Sequence, residues 1–181
     1  MTFLRSLALI GFLLATWLLP KETLANEQNS YIVSQEEPKT QRVIKLHLTF
    51  TAEITEHKVT DLDSQGPTAG DGVHAHGVLR DLSGKEIGRF DTTHTLTEPG
   101  EAGEMRMVLA EYAFGDGRDS LLIAGAELFQ KSYGVVAEQR DLLYGVLGGT
   151  GTFAGARGEC HVKRSSNGQY TVNCPLFVPE Y

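Results

Sequence analysis

The chain has little positive charge, no internal repeat, two cysteines in 181 residues, and no convincing helical stretch after its first 25 residues. Each shortage excludes something. With 16 Lys plus Arg against 23 Asp plus Glu, the formal net charge is −7, and such a surface does not attract nucleic acid or anionic lipid. The longest uncharged apolar run, Leu7 to Leu19, covers about 13 residues where a bilayer-spanning helix needs roughly 20. No G-x-S-x-G elbow accompanies the Ser, His and Asp residues, so nothing supports a hydrolase.

What is present begins with targeting. Arg5 precedes the apolar run, and Thr23-Leu24-Ala25 ends it in the small-x-small manner cleaved by signal peptidase, so residues 1–25 read as a secretory signal peptide. An uncleaved anchor is the alternative, and the short run argues against it. Cleavage removes Arg5, Lys21 and Glu22, two cations and one anion, which takes the net charge from −7 to −8. No membrane span then remains, and the destination is extracellular or periplasmic. Residues 26–41 are polar, carry Pro38 and show no apolar period, as expected of a disordered spacer.

From residue 42 onward the rule is alternation. Leu46, Leu48, Phe50, Ala52 and Ile54 share one face, and His47, Thr49, Thr51, Glu53 and Thr55 the other. After a loop at Asp61–Gly72, further strands are expected over Val73–Asp81, Glu86–Thr97, Glu104–Phe114, Ser120–Phe129, Val135–Leu147, Phe153–Arg164 and Gln169–Val178. Eight strands with Gly, Asp, Asn and Pro punctuation predict an all-β domain over residues 42–181: an eight-stranded antiparallel up-and-down barrel, with an open sandwich as the other option. Leu121-Leu122-Ile123-Ala124 is apolar on both faces. One face can line a lumen, and a subunit contact would cover the other, which predicts a homo-oligomer, dimer or trimer.

Cys160 and Cys174 flank a hairpin that turns at Ser166-Asn167-Gly168. A three-residue loop sets them directly opposite one another, close enough to form a disulfide in an exported chain. Gly149-Thr150-Gly151-Thr152-Phe153-Ala154 fits the dinucleotide pattern G-x-G-x-x-A, but that fingerprint must open a helix within a βαβ unit, and only strand-like sequence follows. Gly148, Gly149 and Gly151 therefore read as a tight structural turn, and no cofactor is expected. His74 and His76 project to one side of a strand. Two imidazoles fall short of the three or four ligands that a metal site needs, so they are assigned to ligand binding and no metal is expected.

Gly148-Gly149-Thr150-Gly151-x-Phe153-x-x-Ala156-Arg157-Gly158 resembles the G-G-T-G-x-F-x-x-A-R-G signature of the dirigent proteins, and the surrounding pattern is similar to the allene oxide cyclases. Phe114-Gly115-Asp116, Leu121-Leu122-Ile123-Ala124-Gly125 and Gly70-Asp71 fall where the cyclases have comparable segments. The resemblance implies an oligomeric barrel whose lumen holds a hydrophobic small molecule and steers its cyclisation or coupling, acting as an isomerase, a cyclase or a stereochemical guide. It also nominates Glu53, which keeps the acid of the cyclases' E-I-N step, and Arg157, the arginine of the A-R-G step.

Turning Glu53 into the lumen sends Phe50 and Ile54 outward, whereas alternation equally allows the reverse. Arg157 shares its alternation face with Glu159, His161 and Lys163, and would turn inward only through a glycine bulge. Glu127, in an apolar strand, completes the candidate catalytic set with Glu53 and Arg157. Tyr112 joins His74 and His76 as candidate ligand contacts. An inward Glu127 is expected to have its pKa raised by burial and to serve as a general acid. Two non-catalytic readings stand beside this one: a lipocalin-like carrier of a hydrophobic metabolite, and a surface or assembly protein.

Overall fold

The computed structural model describes residues 42–63, 66–101, 103–129, 141–166 and 168–180. The expected signal peptide, the expected spacer and the first residues of the sixth expected strand lie outside them. Eight strands follow one another: β1 (Val43–Thr60), β2 (Gly72–Arg80), β3 (Glu86–Glu98), β4 (Glu104–Phe114), β5 (Asp119–Phe129), β6 (Asp141–Thr150), β7 (Arg157–Ser166) and β8 (Gln169–Pro179). Each pairs antiparallel with its sequence neighbours, and β1 also pairs with β8, from Val43 opposite Pro179 to Glu53 opposite Gln169. The sheet is thus a closed up-and-down barrel, an arrangement that removes exposed edges.

Alternation sets what the barrel encloses. Leu46, Leu48, Phe50, Ala52 and Ile54 of β1 turn inward, joined by Phe90, Val108, Ala110, Tyr112, Leu121, Ile123, Leu142, Tyr144, Val162, Val172 and Leu176. Glu53 consequently lies on the outer face. There its carboxylate pairs with Arg80 Nε at 3.2 Å, across the β1–β2 ladder. The inward placement of Glu53 is corrected for a simple reason: five apolar side chains and one carboxylate competed for the same face, and burying five hydrophobes outweighs sheltering one acid.

Two regions depart from the expected pattern. β1 continues to Thr60 through a register shift between Ile54 and Glu56. This bulge resets the alternation so that His57 and Val59, like Ile54, reach the cavity at that end. The glycine-rich corner is not the start of a strand. Gly148-Gly149-Thr150 closes β6, Gly151–Phe153 forms a short 3-10 turn, and β7 begins at Arg157. Gly151 sits at φ +55°, and a Cβ there would overlap the Asp119 carboxylate, which accepts the Thr152 N–H at 2.7 Å. Thr150 Oγ1 donates to the Arg118 carbonyl at 2.7 Å and completes the clasp.

β7 and β8 hold the disulfide. Cys160 and Cys174 are bonded across the pair, with Cα atoms 4.2 Å apart and both side chains fully buried on the inner face. The hairpin reaches this register by pairing Ser166 with Gln169 and absorbing one residue between Arg164 and Ser166.

Candidate functional site

The two ends of the lumen are built differently. At the end where the glycine corner lies, the rings of Phe50, Tyr112, Phe114 and Phe153 pack together with centroids 5.1–5.5 Å apart. The corner drops the buried Phe153 into that cluster, so the glycines belong to the plug. Toward the opposite end, Ala52, Ile54, Phe90, Val108, Ala110, Tyr112 and Leu142 wall a small inner pocket of about 60 Å³. A cavity of about 830 Å³ forms the mouth at that end, within the roughly 300–1,000 Å³ typical of small-molecule sites. His94 and Tyr170 border both spaces.

A polar centre stands at that border. Glu127, on the inner face of β5, is 3% exposed. Its Oε1 lies 3.0 Å from His94 Nδ1 of β3, and its Oε2 accepts the Tyr144 hydroxyl of β6 at 2.9 Å. Gly125, two residues earlier on the same face, makes this contact sterically feasible. A Cβ there would come within 2.6 Å of the Tyr144 ring.

Burial pushes the Glu127 pKa up. The hydrogen bond and charge of His94, the hydrogen bond from Tyr144 and the Arg106 charge outweigh it and hold the carboxyl below its ordinary value. Glu127 is therefore ionised at neutral pH, not the neutral general acid expected from burial alone. A carboxylate can only accept, so the proton of this contact sits on His94 Nδ1 and leaves Nε2 as the nitrogen that can gain or release a proton. Desolvation, with Glu127 beside it, raises the Tyr144 pKa strongly, and burial does the same for Tyr112. Both phenols stay protonated, and that of Tyr144 is the donor to Glu127.

The other nominated residues fall elsewhere. His74 and His76 lie on the outer face, His74 Nδ1 at 3.1 Å from Thr93 Oγ1 and His76 Nε2 at 3.4 Å from Glu56. Their assignment to the ligand is corrected, because the inward positions of β2 are taken by the buried Ala75, Gly77 and Leu79. Arg157 is exposed on the outer face of β7, opposite Phe177. The β7–β8 register runs through Gly158 without a shift, so no bulge turns Arg157 inward. Of the nominated side chains, Glu127 and Tyr112 border the inner pocket, while Glu53, His74, His76 and Arg157 do not. Among the described residues, no group of three or more His, Cys, Asp or Glu side chains is placed to hold a metal.

Sequence reasoning missed His94 and Tyr144. Counting by twos from Phe90 or Leu96 puts His94 on the buried face, and Leu142 does the same for Tyr144. The signal was there, hidden for His94 by the threonines of Thr92–Thr97.

No family model matches the sequence, and no curated protein matches it. Solved structures do. A pyocyanin demethylase superposes with a TM-score of 0.58 at 16% identity, over 72% of this chain and 99% of its own. A pterocarpan synthase dirigent protein does so with a TM-score of 0.53 at 19% identity, over 81% of this chain and 89% of its own. The fold is that of the dirigent and cyclase barrels. A Diels-Alderase from Streptomyces koyangensis has it too, with a TM-score of 0.55 at 15% identity, over 72% of this chain and 63% of its own. At these identities the likeness concerns the fold, and the site must be judged on its own residues.

Proposed function

We propose that this barrel binds a hydrophobic small molecule in its lumen and steers that molecule's cyclisation or coupling. One observation carries the reading: a buried Glu127 carboxyl held between His94 and Tyr144 at the edge of an apolar pocket. A pure carrier needs only apolar walls, whereas a carboxylate held by a histidine and a tyrosine brings to the lumen a charge that apolar binding does not call for. The walls around Phe90, Val108, Ala110 and Tyr112 would hold one reactive conformation of the substrate. Glu127 would stabilise positive charge as it develops, and His94 Nε2 would take or return a proton. The dirigent and Diels-Alderase barrels among the similar folds are in keeping with such a role.

Mass spectrometry of small molecules that co-purify with the wild type and with Glu127→Gln tests this. The expected result is a product-like compound on the wild type and an isomer or precursor of it on the variant. The same compound on both would favour the carrier.

The reading includes export and self-association. Export is supported by the N-terminal signal pattern and by the disulfide. The first residue of protein recovered from the medium or periplasm is expected to be Asn26, and an intact Met1 would contradict it. Self-association is supported by the outer faces of β4–β6, where the exposed Met107, Leu109, Leu128, Leu143 and Leu147 surround Leu122, Ala124 and Ala126. Light scattering at micromolar concentration should return a dimer or trimer mass, and Leu143→Glu with Leu147→Glu should reduce it to the monomer. A monomeric wild type would remove this part.

A further inference from the structure

The mouth cavity is lined by two arginines, unusual for the inner face of an acidic protein. Among the described residues, its walls carry Arg106 from β4 and Arg164 from β7, together with His57 and His94, and one carboxylate, Glu104. Two permanent cations among the described residues thus share this wall with one anion, with Glu127 set deeper beyond His94, in a chain whose formal net charge is −7. The arginines stand on strands three places apart around the ring, so they approach the cavity from different walls.

Arg106 is held in place. Its Nη2 donates to Glu104 Oε2 at 2.6 Å and its Nε to the same oxygen at 3.2 Å, while the guanidinium lies 3.7 Å from the centroid of the Phe129 ring. Arg164 is 6% exposed, a degree of burial that arginine rarely reaches. A concave, low-dielectric wall around such groups concentrates positive potential at the entrance.

We infer that the mouth recognises an anionic group, so that the ligand is an amphiphile: an apolar or aromatic body with a carboxylate, sulfonate or comparable acidic head. This deepens the proposed function and rests on the lumen being the ligand site. The arrangement also fixes which way round the ligand sits. The body lies in the mouth cavity with its leading end toward the apolar pocket beyond His94, where the ionised Glu127 repels a second negative charge, and the head stays with Arg106 and Arg164.

Two fluorescent probes of the same aromatic skeleton test the inference: the anionic anilinonaphthalene sulfonate and its uncharged counterpart phenylnaphthylamine. Both are titrated into the full-length protein, with circular dichroism to confirm folding. The sulfonate is expected to bind about tenfold more tightly at low salt, as befits a charge-assisted contact, with the advantage shrinking as salt rises. Arg106→Gln and Arg164→Gln should each abolish most of that preference without weakening the neutral probe, Arg164→Lys should retain it, and Glu104→Gln should enlarge it.

Equal affinity for the two probes, insensitive to salt and to the arginine variants, would overturn the inference and leave the lumen reading intact. Failure of both probes to bind would reject the lumen reading itself, and the inference with it. Should Arg164→Gln not fold, the salt series on the wild type together with Arg106→Gln still decides the matter.

Discussion

The two ends of the barrel are made from the same eight strands and differ in what those strands carry inward. At one end Phe50, Tyr112, Phe114 and Phe153 close the lumen with rings. At the other, β1 bulges, His94 and Glu127 come together, and Arg106 and Arg164 line an open mouth. The first end is close-packed and stabilises the fold. The second keeps charge in a half-dry space, where it is held by its partners and can supply chemistry. A barrel thus separates the two demands along its axis, so that each can be altered without the other.

That separation can be broken experimentally, beginning where the effect is greatest. Phe50 is 1% exposed and touches two other rings, so Phe50→Ala should cost about 3–5 kcal/mol in denaturant unfolding. It should leave the mouth's preference for an anionic probe unchanged, and a loss of that preference would show that the two ends are coupled.

At the open end, Glu127→Gln should cost about 1.5–3 kcal/mol at neutral pH, through weakened charge-assisted hydrogen bonds. The pH dependence has a definite sign. Because the folded-state pKa lies below the ordinary 4.5, the Glu127 contribution is full above that value and is lost as pH falls through the lower folded-state one. The acid limb of the wild-type stability curve should therefore be steeper than that of Glu127→Gln. Identical limbs would mean that Glu127 is not held ionised.

Gly125→Ala sharpens the same point sterically. The added methyl meets the Tyr144 ring, with an expected cost of about 1–3 kcal/mol. It should also shift the tyrosine absorbance of a residue pushed away from its carboxylate partner.

The smallest effect is expected outside the barrel. Glu53→Gln breaks a pair that is more than a third exposed, Arg80 at 35% and Glu53 at 38%. It should change stability by about 1 kcal/mol or less and leave probe binding unaltered. A large loss of ligand binding in Glu53→Gln, with none in Glu127→Gln, would reverse the assignment of inner and outer acids.

The barrel was legible because a half-buried strand writes its burial into a period of two, and all seven connections between strands carry their own Gly, Asp, Asn or Pro punctuation. The disulfide was legible from hairpin counting, since Cys160 and Cys174 fall opposite each other whichever residue the turn absorbs. The site was less so. Alternation already grouped Phe50 with Ile54 and set Glu53 apart; the resemblance to the cyclases pulled the other way, and the apolar face decided it. His94, Arg106 and Arg164 were missed for a shared reason: each is a polar residue on an inward face, and a pattern that equates polar with outward cannot see it. What singles them out is partnership between neighbouring strands, His94 with Glu127 or Arg106 over Phe129, and such contacts join strands that periodicity treats one at a time.

The ring is closed by its most distant parts. Val43 pairs with Pro179, and the eleven residues of β8 supply the partner for the first half of β1. Until they arrive, β1 presents a bare edge and a row of apolar side chains, and no other strand can satisfy both. Contacts so far apart in sequence are slow to form because the loop entropy is lost before any pairing is gained. The barrel is therefore a structure that appears late and nearly all at once, and a chain cut before Gln169 would be an open sheet with two sticky edges, prone to join its neighbours instead of itself.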